Sequence, residues 1–527
     1  MEMSDDKPQF SSDLSRISIG RLLYLAFVAN IGSFLFGYDA GAMSSFLSSI
    51  NSIAEDDTNT NDIYFRYIAN NDGVYGFITA GATIGATFTY IMLLIFGNSL
   101  PKKDEIMLGA FFYFIGALFE SEAGDATWHK SGGFSLFVMG RLLYGAGMAL
   151  SFHSVPQYVS EHCPSIIRAR VGSGTEAMII TGLFISYAIG YVYNGDYGWM
   201  ISFRVAYIFA TVMFVLTLFL PQSPRWMVRN NLPREEVLKV LQFVKSNSTL
   251  EDVIVYERSY EDEKVIKLKY DAEWTAGGSY SSDGLFSHKT LFGKLPIEVK
   301  VLFLNKAFRR CLFFAILMVF FMISTGQGAI LYFASDIFGD LCGSENKELC
   351  ILGLGIAKIV PGYIMIAAAE MYGRRTYMIV GSVTMCVGYL IFVAGYSVSG
   401  LALFGLYLSV VGYEVSYGVM MWVLITEIFP PIVRSAAIGI SIGFFFFFAT
   451  IFIFVVPYIE SDLGVQGLFG FFFVFAVSGT ICMVHTTPET KGVDMDVGYK
   501  LLNKRLVDAW PVCCDRQTDE EEESLIS

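Results

Sequence analysis

Charge is what this chain has least of. Asp, Glu, Lys and Arg make up only 16% of its 527 residues, too few to wet the surface of a soluble protein of that length. Cysteine is sparse as well, and eight residues do not make a disulfide framework. No metal-ligand cluster, nucleophile triad or phosphate-cradling loop can be read, so an enzyme is not expected, nor a cofactor or a metal. The formal net charge of −13 comes largely from segment 48–72, segment 251–274 and the C-terminal tail. It therefore describes solvated regions and argues against nucleic-acid binding.

What the chain has in abundance is apolar: 54% hydrophobic residues, including 47 Phe, together with 50 Gly. Stretches long enough to cross a hydrocarbon core of about 30 Å as helix lie at 20–42, 73–97, 105–121, 133–155, 171–194, 200–220, 309–336, 351–371, 376–396, 400–424, 435–457 and 466–485. These predict an all-α polytopic membrane protein with about twelve spans, six on each side of a polar centre. Lys102, Lys103, Arg168, Arg170, the 222–308 segment, Arg374, Arg375, Arg434, Lys491, Lys500, Lys504 and Arg505 fall on one face, against Arg66, Lys130 and Lys347 on the other. The richer face is the cytosolic one, which places both termini in the cytosol. The first 18 residues are polar and the first apolar run is long enough to span, so no cleavable signal is expected. The expected organisation is a cytosolic segment 1–19, a six-helix half 20–220, a cytosolic linker with surface helices 221–308, a second six-helix half 309–485 and an acidic tail 486–527.

The two halves carry the same signature. Glu161, Pro164 and Arg168 recur as Glu427, Pro430 and Arg434, and 427−161, 430−164 and 434−168 all equal 266. Internal duplication in a membrane protein, with a site between the repeats, is the plan of a secondary transporter.

Further motifs follow in order: Phe36-Gly-Tyr-Asp39, Gly140-Arg141-x-x-x-Gly145, Pro156-x-Tyr158-x-x-Glu161, Pro221-Gln-Ser-Pro-Arg-Trp226, Glu370-x-x-Gly373-Arg374-Arg375, Trp422-x4-Glu427-x-Phe429-Pro430 and Pro488-Glu-Thr-Lys-Gly492. Together, over about 20–492, they resemble the sugar porter family of the major facilitator superfamily. The resemblance implies that fold and alternating-access movement of a small polar solute, most simply a hexose, by a monomer in a lipid bilayer. It also implies an inner gate in which Glu161, Glu370 and Glu427 pair with Arg168, Arg374, Arg375 and Arg434 when the cytosolic side is closed. Asp39 matches the first-span acid of proton-coupled members, beside Arg141; the alternative is an acid that stays ionised and paired. Substrate-site positions carried over from the family are Gln327, Gly418, Trp422, Phe445, Glu176 and Lys358.

Several positions depart from the family. The first-half counterpart of the Glu370 motif reads Asn98-Ser-Leu-Pro101-Lys102-Lys103, without its acid, which predicts a looser gate there. Met322, Ile323 and Gly328 stand where the seventh span usually has amides, Lys358 and Glu176 where spans eight and five do, Phe445 and Ala449 where span eleven does, and Val419 and Met421 replace prolines. A charge near mid-bilayer costs about 2.5–3.5 kcal/mol on insertion scales and persists only when paired or wet. Glu176 and Lys358 are thus expected to face one cavity, pairing across it, clasping a solute or holding helices together. His153 and Glu414 are further titratable groups in apolar runs. The remodelled pocket leaves open a charged or zwitterionic solute, and the fold also leaves open a non-transporting sensor. Cys342 and Cys350 share an outward loop and are either bonded or free thiols. Cys513 and Cys514 are candidate palmitoylation sites, and Glu521 to Ile526 resembles an acidic dileucine signal, favouring vacuolar or endosomal membranes over the plasma membrane.

Overall fold

The computed structural model describes residues 18–55, 63–96, 100–124, 133–163, 174–261 except 194, 196–197 and 259, residue 265, 297–493 except 344 and 370, and 498–509. Arg168, Arg170, Lys130, Glu370, Cys513, Cys514 and the tail signal lie outside these. Among the described residues the chain is helical, as a backbone in hydrocarbon must be to satisfy its own N–H and C=O groups.

The crossings of the first half are α1 (Ile19–Glu55), α2 (Asp72–Phe96), α3 (Lys102–Glu122), α4 (Gly133–His162), α5 (Gly174–Val192) and α6 (Gly198–Leu218). In the second half α7 (Lys306–Ser324) breaks at Gly326, whose φ is 77°, and continues as the short helices Gln327–Tyr332 and Ala334–Cys342. Then come α8 (Lys347–Ala368), α9 (Arg374–Ala394) and α10 (Ser399–Tyr413), the last prolonged by a π-turn at Glu414–Gly418 and the helix Met420–Glu427. One continuous helical stretch, Pro431–Thr486, crosses twice, because Gly464 at φ 67° and ψ 174° reverses it into α11 (431–463) and α12 (465–486). Ten described helices are long and apolar enough to span. Splitting Pro431–Thr486 makes eleven, and α3, which carries more charge but packs between α4 and α6, makes twelve.

Exposed apolar side chains such as Phe88, Ile208, Val212, Val380 and Leu390 form the lipid-facing belt. The phenylalanine run divides as helical geometry requires: Phe444 and Phe447 are exposed, whereas Phe445 and Phe446 turn inward. Helices α1 and α5 pack together, as do α3 and α4, within the first half, and α9 packs on α10 and α12 within the second. The halves meet along two seams, α2 with α11 and α5 with α8, which the six-helix duplication exchanges for one another.

The linker begins with the helices Pro224–Arg229 and Arg234–Val244, and Ile297–Leu304 leads into α7. Pro233 stands at the cap of Arg234–Val244 without a side-chain hydrogen bond, and Glu235 and Glu236 occupy its first turn, where acids favour the helix dipole. Val237 buries against Met227 and Val253.

Candidate transport site and gates

Asp39 and Arg141 meet at the centre of the first half. Both side chains are fully buried, and the guanidinium approaches the carboxylate with two nitrogens: Nη1 pairs with Oδ1, and Nη2 donates to Oδ2 at 3.0 Å. Tyr332, from the other half, donates its hydroxyl to the same Oδ2 at 3.0 Å. Sequence reasoning missed Glu120 on α3, whose Oε1 lies 3.4 Å from Arg141 Nη1 while Oε2 is buried with no hydrogen-bond partner. Its signal was an acid at the end of an apolar run. One guanidinium thus faces two buried carboxylates, and a single proton would leave the group neutral.

A second charged group joins α8, α10 and α5. Lys358 Nζ pairs with Glu414 Oε1 and lies 4.9 Å from the centroid of the Tyr413 ring, a cation–π contact. Of the alternatives the sequence leaves open for Lys358, the described residues give it a carboxylate partner in Glu414 and no direct bond to Glu176. Lysine and Glu414 sit on neighbouring helices of one half, and the π-turn at Glu414–Gly418 places the carboxylate against α8. Gly362 and Gly418 leave the room it occupies, since an added Cβ would stand 3.4 and 2.7 Å from Glu414 Oε2. Glu176, in the first turn of α5, is half-buried and feels both Glu414 and Lys358; it has no hydrogen bond or ion pair of its own among the described residues.

Of the other expected pocket residues, Phe445 stacks near Phe36 and Phe152 of the first half, at ring separations of 6.1 and 6.4 Å, and 6.0 Å from Trp422. Trp422 remains partly exposed. Gln327 behaves otherwise. It is 1% exposed, and its Nε2 donates to the Tyr389 hydroxyl at 3.0 Å, which in turn donates to the Thr325 carbonyl. The break at Gly326 thus points this amide into its own half, toward α9, and not toward the seam.

The outward side is closed. Asp336 accepts hydrogen bonds from Asn51 Nδ2 and the Tyr75 hydroxyl, both at 2.7 Å, and Lys347 donates to Ser48 at 2.7 Å. Tyr187 adds a bond to the Leu331 carbonyl at 2.8 Å. Each joins one half to the other. Cys342, the last residue of Ala334–Cys342, and Cys350, in the first turn of α8, are linked by a disulfide.

On the cytosolic side the expected gate residues that lie among the described residues make the following bonds. Glu161 accepts from the Ser223 hydroxyl, Arg374 forks onto Glu427 at 3.1 and 3.3 Å, and Arg434 donates twice to the Phe429 carbonyl. Arg375 reaches the Val484 carbonyl at 2.9 Å. Two motifs prove to be one device: Glu489 of the Pro488 motif accepts the backbone N–H groups of Arg374 and Arg375, capping α9. Gly373 is required for that approach, since a Cβ there would stand 2.0 Å from Glu489 Oε2.

The first-half counterpart of the Glu370 motif does have an acid nearby. Its acid comes three residues later, as Glu105, which is fully buried, accepts Lys102 Nζ at 2.9 Å and bonds His153 Nδ1 at 2.9 Å. Glu105 lies one helical turn from Lys102 and pairs with it along the same helix, and His153 is a packed partner of that pair.

Two bundles of six helices, closed on one side over a buried acid–arginine pair, define a polytopic carrier of the major facilitator fold. The family profile described as "Sugar (and other) transporter" matches residues 25–497, and the chain belongs to that family, whose members are transporters. The D-xylose-proton symporter-like 1 of Arabidopsis thaliana is 27% identical over 476 residues, covering 88% of each chain. The glucose transporter GlcP of Staphylococcus epidermidis is 24% identical over 487 residues, covering 91% of this chain and 97% of that one. Among solved structures, the partially occluded inward-open xylose transporter XylE of E. coli superposes with a TM-score of 0.70 at 20% identity, covering 90% of this chain and 99% of that one.

Proposed function

We propose that the protein moves a hexose or similar small polar solute across a membrane by alternating access, driven by a proton carried at Asp39. The Asp39–Arg141 pair supports this reading most, because Tyr332 ties that carboxylate to the outer closure. A proton arriving at Asp39 removes the charge that holds Arg141 and Tyr332, and the halves are released to rock. Relatives named as D-xylose-proton symporters, in Arabidopsis thaliana and in Escherichia coli, point the same way. The inner gate is Glu161, Arg168, Glu370, Arg374, Arg375, Glu427 and Arg434, and the solute meets Trp422, Gly418, Phe445, Glu176 and Lys358. The five-part division at residues 19, 220, 308 and 485 is retained. One chain completes the outer closure and the buried pair, which supports a functional monomer. The membrane is the plasma membrane or a vacuolar or endosomal one.

The experiment is uptake of labelled D-glucose and D-xylose into proteoliposomes, with and without an inward proton gradient. Saturable uptake that accumulates only with the gradient is expected. Saturable uptake indifferent to the gradient would remove proton coupling, and no uptake of either sugar would remove the sugar reading.

A further inference from the structure

We infer that Glu120 is a second seat for Arg141 and the acid that hands the coupling proton to Asp39, so that one proton is shared between two carboxyl groups over a single guanidinium. This rests on the proton-coupled reading above and deepens it.

Asp39, Glu120 and Arg141 come from α1, α3 and α4, and all three side chains are fully buried. Two acids and one base inside a membrane are neutral only when one acid is protonated. Asp39 takes both terminal nitrogens of the guanidinium and the Tyr332 hydroxyl, whereas Glu120 has a single contact, its Oε1 at 3.4 Å from Nη1. Three donors hold Asp39 ionised, so the proton belongs to Glu120. Two polar atoms of the trio have no hydrogen-bond partner, Oε2 of Glu120 and Nε of Arg141. They are the atoms that a side-on fork of Arg141 onto Glu120 would join, with Nη1 already beside Oε1. The second seat is built but not taken.

The surroundings leave these groups to each other. Gly140 admits the Glu120 side chain, since an added Cβ would stand 2.8 Å from its Cγ. The neighbouring phenols are engaged elsewhere, Tyr113 donating to the Gly32 carbonyl and Tyr144 to the Leu35 carbonyl, each at 2.9 Å. Helix α6, which also packs on α3, carries Arg204 and Tyr207, and neither bonds Glu120 among the described residues.

When the proton passes from Glu120 to Asp39, one O–H bond breaks and one forms, and Arg141 turns from Asp39 to Glu120. The net charge stays zero, so no unpaired ion is left in the membrane. Tyr332 then loses the charge it bonds. Position gives the direction: Glu120 lies 122−120 = 2 residues, about 3 Å, from the outer end of α3, and Asp39 lies 55−39 = 16 residues, about 24 Å, from that of α1. The proton thus reaches Asp39 from outside by way of Glu120.

The test uses the full chain in proteoliposomes with labelled D-glucose and D-xylose. It reads proton-driven accumulation divided by exchange at equal pH, a ratio that cancels differences in folded amount. In Glu120→Gln the ratio should fall at least about tenfold, a modest loss for a positioned proton donor. Glu120→Asp fits the space less well but keeps an acid, so it should retain more of the ratio than Glu120→Gln; a merely packed side chain would give the reverse order. For the seat, Asp39→Asn and Glu120→Gln each leave Arg141 one carboxylate, and the double change leaves none. The thermal midpoint of the double variant should therefore fall by more than the two single losses together. A ratio unchanged in Glu120→Gln, the reverse order of the two variants, or additive midpoints overturns the inference and leaves proton coupling at Asp39 intact. No gradient-driven accumulation by the unaltered protein overturns the coupled reading and this inference with it.

Discussion

Tyr332 in the second half donates a hydrogen bond to Asp39 in the first, at 3.0 Å, on the carboxylate that also receives Arg141. The outer closure and the candidate proton site are therefore one hydrogen-bonded unit: the short helix Gln327–Tyr332 is held down by the charge of Asp39. A hydrogen bond to a buried charged group contributes about 1.5–3 kcal/mol. Tyr332→Phe should therefore shift the equilibrium toward an open outer side by about tenfold or more. Hydrogen exchange over residues 44–53 and 332–342 is the measurement. Protection equal to that of the unaltered protein would mean that Tyr332 packs there without latching.

Asp39→Asn separates coupling from movement. An amide keeps the shape and one acceptor for Arg141 but carries no exchangeable charge. Concentrative uptake driven by a proton gradient should be lost, while exchange of solute down its gradient persists. Accumulation against a gradient in this variant would assign the proton to another group, with Glu120 the first to examine.

Much of this fold was legible because hydrocarbon imposes a strong rule on sequence: the long apolar runs mark crossings, and the 266-residue repeat marks two halves. Gly464, which turns α11 into α12, left only a short polar interval in the sequence. The site was less legible. Lys358 stands at a family pocket position, and its nearness by register to Glu176 drew attention from Glu414, which is 56 residues away in sequence yet is its partner. Only helix packing and the π-turn bring those two together. Glu105 was overlooked because the acid was sought at the motif position, although its spacing from Lys102 already permitted the pair. Glu489 could not be assigned as the cap of α9, since 115 residues separate it from Arg374.

Lys358→Met tests the pairing with Glu414. It leaves Glu414 as a buried, unpaired carboxylate, an error that costs about 3–5 kcal/mol, so folded yield in detergent and thermal midpoint should both drop. Adding Glu414→Gln should restore most of the loss, and adding Glu176→Gln should restore less. The double-mutant cycle reads the coupling directly. Stronger rescue by Glu176→Gln would make Glu176, not Glu414, the lysine's main partner.

Asp336 is the hub of the outer closure, taking Asn51 on one oxygen and Tyr75 on the other, each at 2.7 Å. Both donors come from the first half and the acceptor from the second, so these bonds exist only while the outer side is shut. Asp336→Ala removes both, and at about 1.5–3 kcal/mol for each bond to a charged group the open population should rise at least about tenfold. Asp336→Asn keeps one good acceptor and should fall between. Spin labels at Tyr67→Cys and Leu349→Cys, two exposed positions on opposite halves, would report the change as a growing long-distance population. The order expected is unaltered protein, then Asp336→Asn, then Asp336→Ala. If Asp336→Ala left the distance distribution unchanged, the closure would have to be carried by Tyr332, Tyr187 and Lys347 without it.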